Sequence, residues 1–160
     1  MSRPAGIGLA FALALLVFLV DQGLKKLVEG SMRLGESIPV IPGVFHLTYI
    51  KNAGGAFGIL DGRGDVLLLG SVIAVAFVLW MLLEGPPTRI MVLGCGLILG
   101  GAAGNLLDRL TTGQVTDYID LRVWPVFNAA DVAIVLGATT LILAALQPVE
   151  KGQPRSRLRR

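Results

Sequence analysis

The chain has 160 residues and a formal net charge of +3, with 54% hydrophobic and only 16% charged residues, and its mean hydropathy is +0.73. Soluble domains run to about 45–50% apolar and about 25% charged residues, so a water-soluble globule is excluded and lipid is the expected solvent. The single cysteine, Cys95, excludes a disulfide framework and a Cys-rich metal site, and the basic residues near the chain ends and in one tight turn point to membrane orientation rather than nucleic-acid binding.

Pro4 to Val20 is the first long stretch without a charge. It has no Ala-x-Ala-like exit and passes directly into Asp21-Gln-Gly-Leu-Lys25-Lys26, so it reads as a permanent span and not a cleaved signal. Next comes an outer loop, 28–65. Within it Phe45, Leu47 and Tyr49 alternate with His46 and Thr48, a period of two that predicts a strand. Pro42-Gly43 before it and Asn52-Ala-Gly-Gly-Ala-Phe-Gly58 after it are turn signals. Val66 to Leu83 and Ile90 to Leu107, both free of charge throughout, flank the turn Glu84-Gly-Pro-Pro-Thr-Arg89. Gly96, Gly100 and Gly104 recur on one face of the third helix, the spacing that lets helices approach closely in lipid and would hold Asn105 to Arg109 in place.

A second outer loop, 108–130, contains Asp117 to Trp124, a further extended piece ended by Pro125, with Tyr118, Trp124 and Phe127 as interfacial aromatic anchors. Val132 to Val149 is the last uncharged stretch. Each stretch is close to the length a helix needs to cross about 30 Å of hydrocarbon. The expected fold is an integral membrane, mainly α protein: a bundle of four transmembrane helices, 4–24, 66–84, 89–108 and 130–149, with a small extracytoplasmic β-rich cradle. It forms one domain, 1–150, followed by a basic, disordered tail, 151–160, at the membrane surface.

An even number of spans places both termini and the 84–89 turn on one side. Lys and Arg divide equally, seven on each side. On the terminal side they crowd into short segments, whereas on the other they are spread over two long loops. Both termini are therefore expected in the cytoplasm, with loops 28–65 and 108–130 outside.

Ionisable groups near hydrocarbon are costly and mark function. Asp21, Asp108, Asp117 and Asp131 gather toward the outer side, accompanied by Asn52, Asn105, Arg109 and Asn128. Taken singly they have plain explanations: Asn128 and Asp131 as caps of the fourth helix, Asp21 as a partner of Lys25 one turn on. Elimination narrows the chemistry. His46 is the only histidine, and no His-x-x-x-His or Cys-x-x-Cys motif offers a zinc site. Gly54-Gly55 lacks a phosphate-binding frame, and a Ser–Lys dyad has only Ser31 near Lys25 or Lys26. Carboxylates remain. Two aspartates held close share a proton, so that one takes a proton from water while the other donates to a carbonyl oxygen. Asp117 and Asp131 are the candidates, because the short excursion between them can return one toward the other. Asp120, at odd spacing in an extended segment, faces away from Asp117, and Asp21 and Asp108 follow as supporting groups. A transporter with an aspartate proton relay is the rival reading, disfavoured because no carboxylate sits mid-span and no inverted repeat appears. A non-catalytic assembly factor is the second rival.

Five blocks carry a resemblance: Asp21-Gln-x-x-Lys25, Asn52-Ala-Gly-Gly-Ala-Phe57-Gly, Gly104-Asn-Leu-Leu-Asp-Arg109, Gly113-x-Val-x-Asp117-Tyr-Ile and Phe127-Asn-Ala-Ala-Asp131. In order and spacing they resemble the bacterial lipoprotein signal peptidases, or type II signal peptidases, over all but the basic tail. The resemblance implies an intramembrane aspartic endopeptidase of the bacterial inner membrane that cuts diacylglyceryl-modified prolipoproteins just before the lipidated cysteine. It implies Asp117 and Asp131 as the catalytic pair, and Asn52, Gly54, Asn105, Arg109, Asn128, Asp21 and Lys25 as residues that bind substrate or support the site. It also implies inhibition by the cyclic peptide globomycin. No metal or cofactor and no nucleic acid are expected, the partners being prolipoprotein substrates and membrane lipid, and the chain is expected to act as a monomer. Gly55 departs from the alanine common at that point of the family block. Loop 28–65 is expected to cradle or cover the scissile bond, with Gly54, Gly55 and Gly58 supplying flexibility.

Overall fold

Four long helices and a small sheet form in the order α1 (Arg3–Ser31), β1 (Ser37–Ile41), β2 (Phe45–Asn52), α2 (Gly64–Glu84), α3 (Arg89–Thr112), β3 (Val115–Asp120) and α4 (Ala129–Leu146). They are seen in a computed structural model that describes residues 2–53, 64–84 and 87–146. Among the described residues α1, α3 and α4 are each long and apolar enough to cross a membrane, and α2 contains the shorter apolar helix Leu68–Glu84. Exposed Leu, Ile, Val and Phe side chains cover the outside of the helices, as in Leu15, Leu16, Ile73, Phe77, Val135 and Ile142, the arrangement a lipid solvent selects.

The helices outrun the expected spans where tertiary partners support them. α1 has 29 residues, roughly 43 Å at 1.5 Å per residue, and continues from the expected end at 24 to Ser31. Its last turns are held by packing of Val28 and Met32 with Tyr49 and Tyr118 of the sheet. α3 starts where the Thr88 side chain accepts the Met91 N–H at 3.2 Å. It ends at Gly113, whose φ of 75° allows its N–H to reach the Arg109 carbonyl. The expected segment 147–149 of the fourth span and the tail 151–160 lie outside the described residues.

α3 is central, packed against α1, α2 and α4. Its glycines make that possible. A Cβ at Gly100 would lie 2.5 Å from the Ala14 carbonyl oxygen of α1, one at Gly101 2.5 Å from the Ala130 carbonyl oxygen of α4, and one at Gly96 2.9 Å from the Ala10 carbonyl oxygen. Gly137 of α4 returns the approach, since a Cβ there would lie 2.7 Å from the Gly94 carbonyl oxygen. Between them Ala10, Ala14, Val78, Leu82, Val92, Cys95, Ile98 and Leu99 form the buried core.

The sheet is antiparallel in the order β1-β2-β3. β2 fulfils the strand expected from its alternation. β1 was not anticipated, since Pro39 interrupts its pattern; an edge strand tolerates the missing N–H. Pro42 and Gly43 make the connecting turn, with the Val44 N–H donating to the Ile41 carbonyl at 3.0 Å and Gly43 at φ 74°. Most of the described residues in the expected loop 28–65 are therefore regular structure, and Gly54, Gly55 and Gly58 lie outside the described residues. The extended piece expected over Asp117–Trp124 stops at Asp120, because the Asp120 carboxylate accepts the Arg122 N–H at 2.8 Å and Arg122 turns to φ 63°. Tyr118 is a second correction: it is buried against Val28 and Met32 rather than anchored in the headgroups.

Candidate active site

The polar end of the bundle is assembled at the junction of α1, α3, α4, β2 and β3. Asn128 sits just before α4, and Asp131 lies in its first turn. The Asp131 N–H donates to Asn128 Oδ1 at 3.0 Å, and the Asn128 N–H donates back to Asp131 Oδ2 at 3.2 Å. This reciprocal cap satisfies N–H groups that a helix start leaves unpaired and fixes the Asp131 rotamer. The Asn128 side chain then turns the other way and donates to Asp117 Oδ1 at 2.7 Å. One fully buried asparagine thus holds both aspartates, one through its main chain and the other through its amide.

Each carboxylate has a second amide donor. Asn52 Nδ2 donates to Asp117 Oδ2 at 2.9 Å, and Asn105 Nδ2 donates to Asp131 Oδ1 at 2.8 Å. Asp117 is only 2% exposed. Burial pushes its carboxyl up to about 6; hydrogen bonds from Asn52 and Asn128 pull the other way, and the nearby charge of Asp131 raises it further.

Beneath the aspartates lies a charged foundation. The buried Lys25 ammonium spends its three protons on Asp21 at 2.8 Å, Asp108 at 2.9 Å and Asn105 Oδ1 at 2.8 Å. Asp21 also accepts the Ala130 N–H at 3.0 Å, tying the start of α4 to α1. Gln22 donates to Asp108 at 3.0 Å. At Gly104 a Cβ would fall 2.3 Å from Asp21 Oδ2, so the absence of a side chain there is what admits the carboxylate. The expected Asp21–Lys25 pair therefore exists, and burial makes it a structural element under the site.

Arg109 lines the same space as the aspartates and reaches Ser71 of α2 at 3.5 Å. A cavity of about 370 Å³ is bounded by Asn52, Asn105, Arg109, Asp117 and Asp131 on its polar side and by Trp124 to Phe127 on the other. A second, of about 480 Å³, lies among α2, α3 and α4 and shares Asn105, Arg109 and Asp131. Eight of the nine residues expected at the site are thus brought to one junction; the ninth, Gly54, lies outside the described residues. Asp120 is turned to Thr48 and Arg122, as its spacing required. His46 contacts Ser37 at 3.2 Å on the sheet.

Sequence reasoning missed Thr116 and Glu29, and it gave Tyr118 a place at the interface rather than beside the site. Thr116 is fully buried and its N–H donates to Asp108 at 3.3 Å. The Tyr118 oxygen accepts the Ala129 N–H at 3.2 Å, and burial first, with nearby aspartates, pushes that phenol up to about 12. For Thr116 the only sequence signal was adjacency to Asp117, Tyr118 stood in the same block as an aromatic, and Glu29 had none.

Comparison with known proteins agrees with this architecture. A family profile described as "Signal peptidase (SPase) II" matches residues 13–147. The chain belongs to the signal peptidase II family. It is 45% identical over 144 residues to the lipoprotein signal peptidase of Halothermothrix orenii, covering 90% of this chain and 99% of that one. It is also 45% identical over 148 residues to that of Pelotomaculum thermopropionicum, covering 92% and 97%. A solved bacterial membrane enzyme superposes with a TM-score of 0.80 at 31% identity, covering 88% of each chain. Membership of the signal peptidase II family makes the chain a peptidase and a membrane protein.

Proposed function

We propose that the chain is an aspartic endopeptidase that removes signal peptides from diacylglyceryl-modified prolipoproteins, cutting before the lipidated cysteine, with Asp117 and Asp131 as its acid/base pair. The observation that carries this reading is Asn128 bridging the two carboxylates beside a cavity. Asp117, pushed up to about 6 by burial, serves as the acid of the pair and Asp131 as its base. Water placed between them gives a proton to Asp131 as its oxygen attacks the scissile carbonyl carbon, and Asp117 donates to the carbonyl oxygen. On collapse Asp131 passes its proton to the leaving amine and Asp117 recovers its own. Arg109, facing both aspartates, binds the substrate backbone and limits the build-up of negative charge.

The substrate arrives through lipid. The cavity among α2, α3 and α4 is lined in part by Asp131, which suits lateral approach of an apolar signal helix, while each buried acyl CH₂ contributes about 0.8 kcal/mol. In this reading the single domain, 1–150, lies in the bacterial inner membrane as a monomer. Both termini and the tail are cytoplasmic, the site is at the outer face, and globomycin-type peptides block the dyad. The test is cleavage of a diacylglyceryl-modified prolipoprotein by wild type, Asp117→Asn and Asp131→Asn, with and without globomycin. Processing by either variant at the wild-type rate overturns the dyad.

A further inference from the structure

Glu29, near the end of α1, was absent from every sequence motif, yet it makes three contacts toward the sheet and its own helix. Its Oε1 accepts from Lys51 Nζ at 2.7 Å and from Thr116 Oγ1 at 2.7 Å; Lys51 also donates to Thr116 Oγ1 at 2.7 Å. Its Oε2 pairs with Lys26 at 3.1 Å, whose side chain is 76% exposed. The Glu29 and Lys51 side chains are only 24% and 20% exposed, and Thr116 is fully buried. A carboxylate closing a triangle with an ammonium and a hydroxyl in that setting is stronger than an open surface pair.

The triangle falls at an informative place. Lys51 pairs across the ladder with Thr116, next to the pairs Ile50–Asp117 and Asn52–Val115. Lys51 immediately precedes Asn52 and Thr116 immediately precedes Asp117, so the grip on the two neighbours bears directly on the donor and the acceptor of the site. The ladder itself is irregular here, its register shifting between Leu47 and Ile50. A slip of one residue would turn Asn52 away from Asp117.

We propose that Glu29 is a positioning residue for the reaction: by gripping Lys51 and Thr116 from α1, it sets the register in which Asn52 donates to Asp117. The inference rests on the reading of Asp117 as a catalytic residue.

Kinetics of prolipoprotein cleavage in the full-length membrane enzyme test it. Displacement by ~1 Å can cost on the order of 10²-fold in rate, so Glu29→Ala is expected to lower kcat roughly tenfold with KM within about twofold. Glu29→Gln, which keeps an acceptor for Lys51 or Thr116, recovers part of that loss. Lys26→Ala, which touches only the exposed side of Glu29, leaves the rate unchanged. In an Asn52→Ala background, already slowed, adding Glu29→Ala changes kcat by less than about twofold, because coupled residues are not additive. Wild-type kcat in Glu29→Ala, a loss confined to KM, or full additivity with Asn52→Ala overturns the proposal. Asp117→Asn run alongside separates the two readings: if it cleaves normally the dyad fails, and if it is dead while Glu29→Ala is normal only the positioning role fails.

Discussion

Along α3, Gly94, Gly96, Gly100 and Gly101 bring α1 and α4 to backbone contact, whereas one turn further on Asn105 and Asp108 hold the same helices and the sheet through amide and charged groups. In lipid no hydrophobic force pulls apolar helices together, so the first half relies on close approach and dispersion. That mode tolerates changes of chemistry and resists added volume. The second half has the opposite sensitivity: volume is available in the cavities, and loss of one charge or donor leaves partners buried without compensation.

Substitutions at the two ends should separate these sensitivities. The largest effect is expected from Asp117→Asn or Asp131→Asn, with cleavage reduced by ~10³-fold or more as for other essential acid/base groups, read by gel shift of the processed prolipoprotein while circular dichroism shows retained helix. Cleavage at the normal rate would return the polar end to a structural or proton-relay role. Next comes Lys25→Met, which strands Asp21 and Asp108; breaking a buried pair costs about 3–5 kcal/mol, measurable as a lower unfolding midpoint in detergent. Gly101→Ala follows, because its Cβ meets a backbone carbonyl that has nowhere to move; overpacking costs about 1–3 kcal/mol. Gly8→Ala in α1, with nothing among the described residues within 4 Å of the added Cβ, is the control and should be neutral or slightly stabilising.

The smallest effect is on titration. Asp117 lies near 6 in the folded protein against an ordinary 3.8, so the folded state binds the extra proton between those values. The contribution of Asp117 to stability is therefore greatest at low pH and is lost as pH rises toward 6. Removing the charge at position 131 should lower the Asp117 titration. Infrared carboxyl bands in wild type and Asp131→Asn check the sign, and an unchanged midpoint would mean the two carboxylates do not sense each other.

The four helices were legible because long uncharged, apolar runs have few other uses. Their ends were not, since Ser31 and Thr112 are reached only through contacts with the sheet and a glycine cap. β2 announced itself by alternation, whereas β1 is a strand by virtue of pairing with β2 and carries no pattern of its own. At the site, elimination led to Asp117 and Asp131, and the spacing of Asp120 correctly set it apart. Glu29 and Thr116 stayed hidden because these partners are 87 residues apart in the chain, and only folding closes that distance.

The first residues of α4 are tied down four ways: to each other through the Asn128–Asp131 cap, to β3 through the Tyr118 oxygen, to α1 through Asp21, and to α3 through Asn105. A helix anchored so firmly at one end cannot slide to suit a thicker or thinner bilayer there. Hydrophobic mismatch must be taken up at its opposite end, by tilt or by the lipid itself. The depth of Asp131 is thereby referenced to the sheet rather than to the membrane midplane.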